Sequence, residues 1–330
     1  MDPKTRASPP PDFIPFQDVR AAASPPAGDR WLHEIQFDGY RVQVRIVDGK
    51  ARFHARNGHD WTHLLPGLAA AARSVQDCVL DGELCALDPR GRSSHAALSV
   101  ALPANADALV IFVFDVLWAP ATGDVRDLPL KARKAVLREL LASADEDARD
   151  RYRFVGELAN VEPKALFRAA CDLGLEGIVS KRRDQPYRSG RSDGWVSSKC
   201  RRSVDVVVGG WRTRDDRFHS LILGRWEAGQ LRHVGSVQAG DDDATIADLV
   251  ARLQSLEVEQ HRFDIGAPPK PTGDTRWVRP DLVAAIEQPR FTADGNLHQG
   301  RFKGLRLDKT AEDLKMEAPP EARRGATPEQ

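Results

Sequence analysis

Apolar and polar positions alternate from Arg41 to Val47, with Val42, Val44 and Ile46 on one side and Arg41, Gln43 and Arg45 on the other. A period of two predicts a strand with one face buried and one face wet. Asp48-Gly49 then turns the chain into Ala51–Arg56, which predicts a hairpin. Ala108–Trp118 (ALVIFVFDVLW) is apolar almost without a break and rich in β-branched and aromatic residues, the pattern of a strand covered on both faces. Lys131–Ala142 and Glu162–Leu173 have helical spacing, and Gly174 stops the second. Leu175–Lys181 reads as strand again.

The texture changes after Arg202. Short strands are expected at Asp205–Arg212, His219–Glu227 and Leu231–Gln238, an amphipathic helix at Asp242–Leu256, and further strand near Trp277 and Phe302. Several short strands around one inserted helix suit a small barrel such as an OB-fold. The class is therefore α+β, with domains at 12–202 and 203–315 joined by a short hinge. A Pro-rich tail (1–11) and a polar tail (316–330) flank them, and neither holds enough apolar surface to order itself. A length of 330 residues fits two domains of ~100–200 residues each.

Composition narrows the classes. Hydrophobic residues make up 41% and charged residues 29%, as in ordinary globular chains. No apolar run approaches the ~20 residues of a membrane span. The opening MDPKTRASPPPDF lacks the apolar segment of a secretory signal. Cys78, Cys85, Cys171 and Cys200 show no CxxC or Cys/His spacing, which argues against a disulfide framework and a zinc site and favours a reducing cytoplasm. Lys and Arg (48) balance Asp and Glu (48), so any case for nucleic-acid binding must rest on local clustering. One cluster exists: Lys181–Arg202 holds eight basic residues against two Asp, interleaved with Tyr187 and Trp195.

Six segments carry candidate chemistry: Trp31–Ile46 (WLHEIQFDGYRVQVRI), Leu80–Leu87 (LDGELCAL), Phe112–Trp118 (FVFDVLW), Glu176–Arg182 (EGIVSKR), Trp195–Cys200 (WVSSKC) and Phe302–Lys309 (FKGLRLDK). Singly, Glu83 and Glu176 read as surface carboxylates, Phe114 as core, and Gly39 as a turn residue. Together, and in this order, the segments resemble the motifs of ATP-dependent DNA ligases. Within that family the resemblance points to the ligase domain of bacterial end-joining DNA ligase D. Arg56-Asn57-Gly58 fits the same pattern, and the likeness runs from about Phe13 to Leu314.

That resemblance implies a nucleotidyltransferase domain of ATP-grasp-like architecture followed by an OB-fold, working on nicked or broken double-stranded DNA with ATP (or AMP already on DNA) and Mg2+ or Mn2+. It implies that Glu34, Asp38, Gly39, Arg41, Glu83, Phe114 and Lys199 hold the nucleotide, with Glu83 on the ribose and Phe114 on adenine. Glu176 and Glu83 would meet the metal. Arg41, Arg56, Arg182 and Arg188 would grip DNA, since guanidinium forks match phosphate oxygens. Arg306 and Asp308 would orient the leaving pyrophosphate as the OB domain closes. A Ku-type end-joining protein is the implied partner, and a monomer the implied state.

The departure lies at the centre of this set. The family's first motif places a lysine nucleophile where this chain has Gln36, and its fifth motif places a lysine where this chain has Ser197. An amide nitrogen shares its lone pair with its carbonyl and carries no charge, so it does not attack a triphosphate. Three readings stay open. In one, the protein is a DNA ligase that has lost ATP-dependent self-adenylylation but seals a nick already carrying AMP. In another, it is a non-catalytic nick or end clamp. In the third, it is an RNA ligase or capping-type nucleotidyltransferase.

Overall fold

A computed structural model describes residues 9–317, apart from 105–107, 159–160, 202, 216, 240–242, 267, 269–273 and 293. Most of the two expected tails therefore lies outside the described residues. The chain divides into two compact units, 1–201 and 202–330.

Unit one contains strands β1 (Arg20–Ala21), β2 (Trp31–Gln36), β3 (Tyr40–Val47), β4 (Lys50–Ala55), β5 (Cys78–Cys85), β6 (Val110–Ala119), β7 (Gly123–Asp124), β8 (Tyr152–Phe154), β9 (Gly177–Arg182) and β10 (Trp195–Lys199). Its helices are α1 (Pro66–Ala71), α2 (His95–Ala104), α3 (Leu130–Ala142), α4 (Glu146–Arg151) and α5 (Pro163–Asp172). One sheet runs β1-β10-β9-β2; the other runs β4-β3-β5-β6-β7, with β8 added parallel to β6. The Lys181 ammonium lies 4.0 Å over the Phe114 ring, and the Arg41 guanidinium 5.1 Å over Trp195, so the sheets meet face to face.

This packing corrects the reading of β3 as half-buried. Arg41 and Gln43 are buried, like Val42 and Val44 beside them. Their polar groups are satisfied inside. Gln43 exchanges two hydrogen bonds with the Ile14 backbone, at 2.9 and 2.7 Å, and Arg41 forks onto Asp81. The period-two pattern is real, but the second sheet and the 13–21 segment cover the face that alternation assigns to water.

A second correction concerns cysteine. Cys171 and Cys200 form a disulfide, with Cα atoms 5.2 Å apart. Gly174 (φ +72°) ends α5, and the Cys200 N–H donates to the Glu176 carbonyl at 2.9 Å, which brings the end of β10 back onto the α5 terminus. A separation of 29 residues concealed this from spacing alone. Cys78 and Cys85 are free and buried.

Unit two contains β11 (Ser203–Arg214), β12 (Arg217–Glu227), β13 (Gln230–Val237), α6 (Asp243–Gln254), β14 (Glu257–Val258), β15 (Thr275–Val278), β16 (Val283–Phe291), β17 (Leu297–Leu305) and α7 (Ala311–Glu317). Twelve-residue β11 organises the sheet: β12 lies along one edge, while β16 (Ser203–Val207) and β15 (Gly210–Arg212) share the other. Leu249 and Leu253 of α6 pack into a core with Val206, Leu221, Leu223 and Ile286. Strand texture and the inserted helix are as expected, but the barrel is not closed. Among the described residues β13 and β17 share no ladder, though a Cβ at Gly235 would meet the Leu297 carbonyl at 3.0 Å. Three register shifts interrupt the β16–β17 ladder, and such shifts bend the bulged strand. No helix among the described residues is long and apolar enough to cross a membrane.

Candidate active site

Cross-strand partners in a ladder point to the same face, and residues two apart share it. In the β2-β9-β10 ladder, Gln36 pairs with Gly177, which pairs with Lys199; Glu34 pairs with Val179, then Ser197; Leu32 pairs with Lys181, then Trp195. One face therefore presents Gln36, Lys199, Glu34, Ser197, Lys181 and Trp195. Gly177 (φ +152°) permits the close crossing, because a Cβ there would sit 2.2 Å from the Ser198 carbonyl.

At the end of this face Ser197 Oγ donates to Gln36 Oε1 at 2.7 Å. The two positions where the resemblance expects lysines hold a neutral, mutually bonded pair. The two nearby amines are each paired with an acid. Lys199 Nζ pairs with Glu176 Oε1 at 2.8 Å, and Lys181 Nζ pairs with Glu34 Oε2 at 2.6 Å. Lys181 is 2% exposed and sandwiched against the Phe114 and Trp195 rings at 4.0 and 4.2 Å. Burial pushes its ammonium down to about 8 against the opposing pull of Glu34. Its ammonium is thus held by Glu34 and the two rings.

Glu34 differs from its expected role. Its carboxylate is 2% exposed and lies between the Lys181 and Lys134 ammonium groups, so both ends of it are engaged by cations. Asp38 accepts from the His95 N–H at 3.3 Å while its own N–H donates to Ser93 Oγ at 2.8 Å, which ties the β2–β3 turn to the start of α2. Gly39 is required for protein packing, since a Cβ there would stand 2.1 Å from the Leu84 carbonyl.

Arg41 is also corrected. It contacts Asp81 at 3.0 and 2.6 Å and the Gln17 carbonyl at 2.6 Å, and its guanidinium lies 4.7 Å over the Phe16 ring. Burial opposes its charge, but Asp81 more than offsets burial and holds the guanidinium above its ordinary value. Its fork is used internally, on Asp81 and the Gln17 carbonyl.

The other wall comes from β3, β5 and β6. Arg41, Glu83 and Phe112 stand in register across these strands, so Phe112 is the aromatic residue directly beside Glu83. Phe114 sits across a β-bulge, edge-on to Trp195 at 5.8 Å. The resemblance points to Phe114; a register shift between Asp81 and Gly82 separates its surroundings from those of Phe112. The Phe37 ring stacks on Phe112, with centroids 3.7 Å apart and planes 9° from parallel.

The exposed arginines make short-range acid contacts: Arg56 with Asp18 (3.1 Å), Arg182 with Asp184 (3.0 Å) and Arg188 with Asp127 (2.7 Å). Surface pairs of this kind contribute roughly 0–1 kcal/mol and exchange readily for a phosphate. Gln17 gathers two of them: Arg188 N–H donates to Gln17 Oε1, and Asp18 follows Gln17 in sequence. In unit two, Arg306 forks onto Asp308 at 2.8 and 2.7 Å and reaches Asp205 at 3.0 Å. The structure thus joins the two expected residues to each other.

Among the described residues no three His, Cys, Asp or Glu side chains gather as a ready metal site. Glu176 still fits a hard cation. It is a carboxylate beside Lys199, and Mg2+ commonly takes one or two carboxylates with phosphate oxygens completing its shell.

Comparisons with known proteins agree with this architecture. A family model described as ATP dependent DNA ligase domain matches residues 15–199, and one described as ATP dependent DNA ligase C terminal region matches 214–309. The multifunctional non-homologous end joining protein LigD of Pseudomonas aeruginosa is 37% identical over 329 residues, which is 97% of this chain and 39% of that protein. The LigD protein of Mycobacterium tuberculosis is 32% identical over 296 residues, 87% of this chain and 38% of that one. This chain thus spans about two-fifths of the length of these relatives. A solved structure of mycobacterial DNA ligase D complexed with ATP and MES superposes with a TM-score of 0.72 at 27% identity, covering 92% of this chain and 98% of the other.

Proposed function

Because this chain belongs to the ATP-dependent DNA ligase family, we propose that it is an end-joining DNA ligase whose self-adenylylation from ATP is lost and whose remaining step is sealing of nicks that already carry AMP. The observation that carries the proposal is the Ser197–Gln36 hydrogen bond of 2.7 Å. Transfer of AMP to protein needs an amine lone pair at position 36 and positive charge beside it, and this pair supplies neither.

Sealing has different needs. The 3′ hydroxyl oxygen forms a bond to the 5′ phosphorus, the bond from that phosphorus to the AMP oxygen breaks, and AMP leaves with the electron pair. No protein nucleophile takes part. Lys199 supplies fixed positive charge next to the phosphates. Glu176 is the residue that would hold Mg2+ or Mn2+, and such an ion, when bound, neutralises phosphate charge. Glu83 and Phe112 are adjacent and suited to ribose and adenine in that order, so Phe112 replaces Phe114 as the proposed base platform. The Phe37 ring stacks on one face of Phe112, so a base taking that face would have to displace it. Arg56, Arg182 and Arg188 are the proposed contacts to nicked or broken duplex. The proposal extends to cooperation with a Ku-type protein and to a monomeric state in the cytoplasm; what supports the first is the end-joining role in the relatives' names.

The test uses two nicked duplexes, one with a plain 5′ phosphate plus ATP and Mg2+, the other pre-adenylylated without ATP. Sealing of the second alone supports the proposal. Sealing of the first, or of neither, overturns it.

A further inference from the structure

Away from Gln36, a cavity of about 210 Å³ is lined by Leu32, Lys131, Lys134, Arg138, Phe154 and Arg183, with Ala135 and Glu157 completing it. Lys131, Lys134 and Arg138 recur at i, i+3 and i+7 along α3, which puts them on one helix face. Lys134 is already paired with Glu34, so three further cationic side chains, Lys131, Arg138 and Arg183, meet one carboxylate, Glu157. Glu157 is 3.9 Å from Arg183, too far for a close fork. Lys134 is 8% exposed and fixed by the Val155 carbonyl at 2.6 Å and by Glu34. Phe154 positions two of the heads, with Lys134 Nζ at 5.1 Å and Arg138 at 5.0 Å from its centroid. Arg183 gives one N–H to the Trp31 carbonyl at 3.2 Å, and its Nε is buried without a hydrogen-bond acceptor. Buried donors are nearly always satisfied, so an unused one on a cavity wall marks a place for an acceptor.

From this geometry we infer that the α3 cavity is a binding site for a multiply charged phosphate anion. The excess of cations sets the charge, the guanidinium groups of Arg138 and Arg183 suit tetrahedral oxyanions, and Leu32 and Phe154 supply the apolar part of the lining. None of Gln36, Ser197, Lys199, Glu176, Glu83 or Phe112 lines it, so the site is separate from the proposed sealing chemistry. The anion could be free pyrophosphate or a phosphate of bound DNA; the chemistry is shared.

The experiment titrates the full chain with inorganic pyrophosphate by calorimetry, alongside the double variant Arg138→Ala/Arg183→Ala and the active-site variant Lys199→Ala. The expected result is saturable binding that weakens about tenfold or more in the double variant and changes by less than about threefold in Lys199→Ala. Absence of binding, or any other pattern between the two variants, overturns the inference. Circular dichroism confirms folding; if the double variant does not fold, Lys131→Ala and Arg138→Gln taken singly carry the same reading. Nicked-duplex affinity then separates the sources: a parallel loss in the double variant points to a DNA phosphate, an unchanged affinity to the free anion. Because Lys199→Ala is included, failure of the nucleotide pocket and failure of this cavity give different results.

Discussion

Ser197 Oγ donates a hydrogen bond to Gln36 Oε1 at 2.7 Å, so the two residues that replace lysines are each other's partners. Neither of these two side chains carries a charge. Restoring only Gln36→Lys returns the nucleophile but leaves it beside a hydroxyl. Gln36→Lys is therefore expected to form a protein–AMP adduct slowly, and Gln36→Lys with Ser197→Lys to form it at least about tenfold faster, as a second cation lowers the amine pKa and stabilises the negative charge of the transition state. Gel detection of labelled adduct measures both rates. No adduct in either variant would mean that other features of the pocket are also disabling.

Glu34 is 2% exposed and neutralises two buried ammonium groups, Lys134 and Lys181. Glu34→Gln leaves those cations facing each other without a counter-ion. Breaking a buried pair in this way costs about 3–5 kcal/mol, which a urea titration of unit-one fluorescence reads as a lowered midpoint. A change under about 1 kcal/mol would show that the site admits water freely.

Lys181 gives a pH signature. Its folded value of about 8 lies below the ordinary 10.5. Between those values the unfolded chain binds more protons than the folded one, so this group makes stability rise with pH across that window. Below about 8 both states are charged and the folded state bears the full cost of burial. Lys181→Met is expected to remove this rise when urea midpoints are compared at about pH 8 and about pH 10. An identical slope in the variant would contradict the assignment.

Much of this site was legible from the chain. The order of DGYR, LDGEL, EGIVSKR and WVSSK marks strands that do converge, and Gln36 and Ser197 stand out by residue type alone. What was not legible depends on packing between sheets. Alternation in β3 does not reveal that Arg41 faces Asp81 rather than DNA, and spacing in FVFD does not reveal the bulge that separates Phe112 from Phe114. The α3 cations carry no motif; they converge because α3 lies beside β8 and the edge strand β2.

Arg56 and Arg188 are more than 40% exposed and hold only surface acids, whereas Arg41 is 9% exposed and internally bonded. Arg188→Ala and Arg56→Ala are each expected to weaken nicked-duplex binding and to lower the slope of log affinity against log salt by about one. Arg41→Ala is expected to destabilise the fold by about 3–5 kcal/mol, because Asp81 is left buried and unpaired. Fluorescence anisotropy at several salt concentrations, with melting of the same samples, distinguishes the two roles. Equal salt slopes for all three would return Arg41 to the DNA surface.

The Cys171–Cys200 bridge closes a loop of 29 residues, for which chain entropy predicts a contribution of roughly 3–4 kcal/mol. Under denaturing, non-reducing conditions thiol titration is expected to find only Cys78 and Cys85, and reduction to expose the other two and lower the melting temperature. Four free thiols before reduction would contradict the bridge.

The most direct measurement is the intact mass of the protein after incubation with ATP and Mg2+. The account predicts an unchanged mass, together with release of AMP when the same sample meets a pre-adenylylated nick. A covalent adenylyl group on the wild-type chain, wherever it is attached, would contradict it.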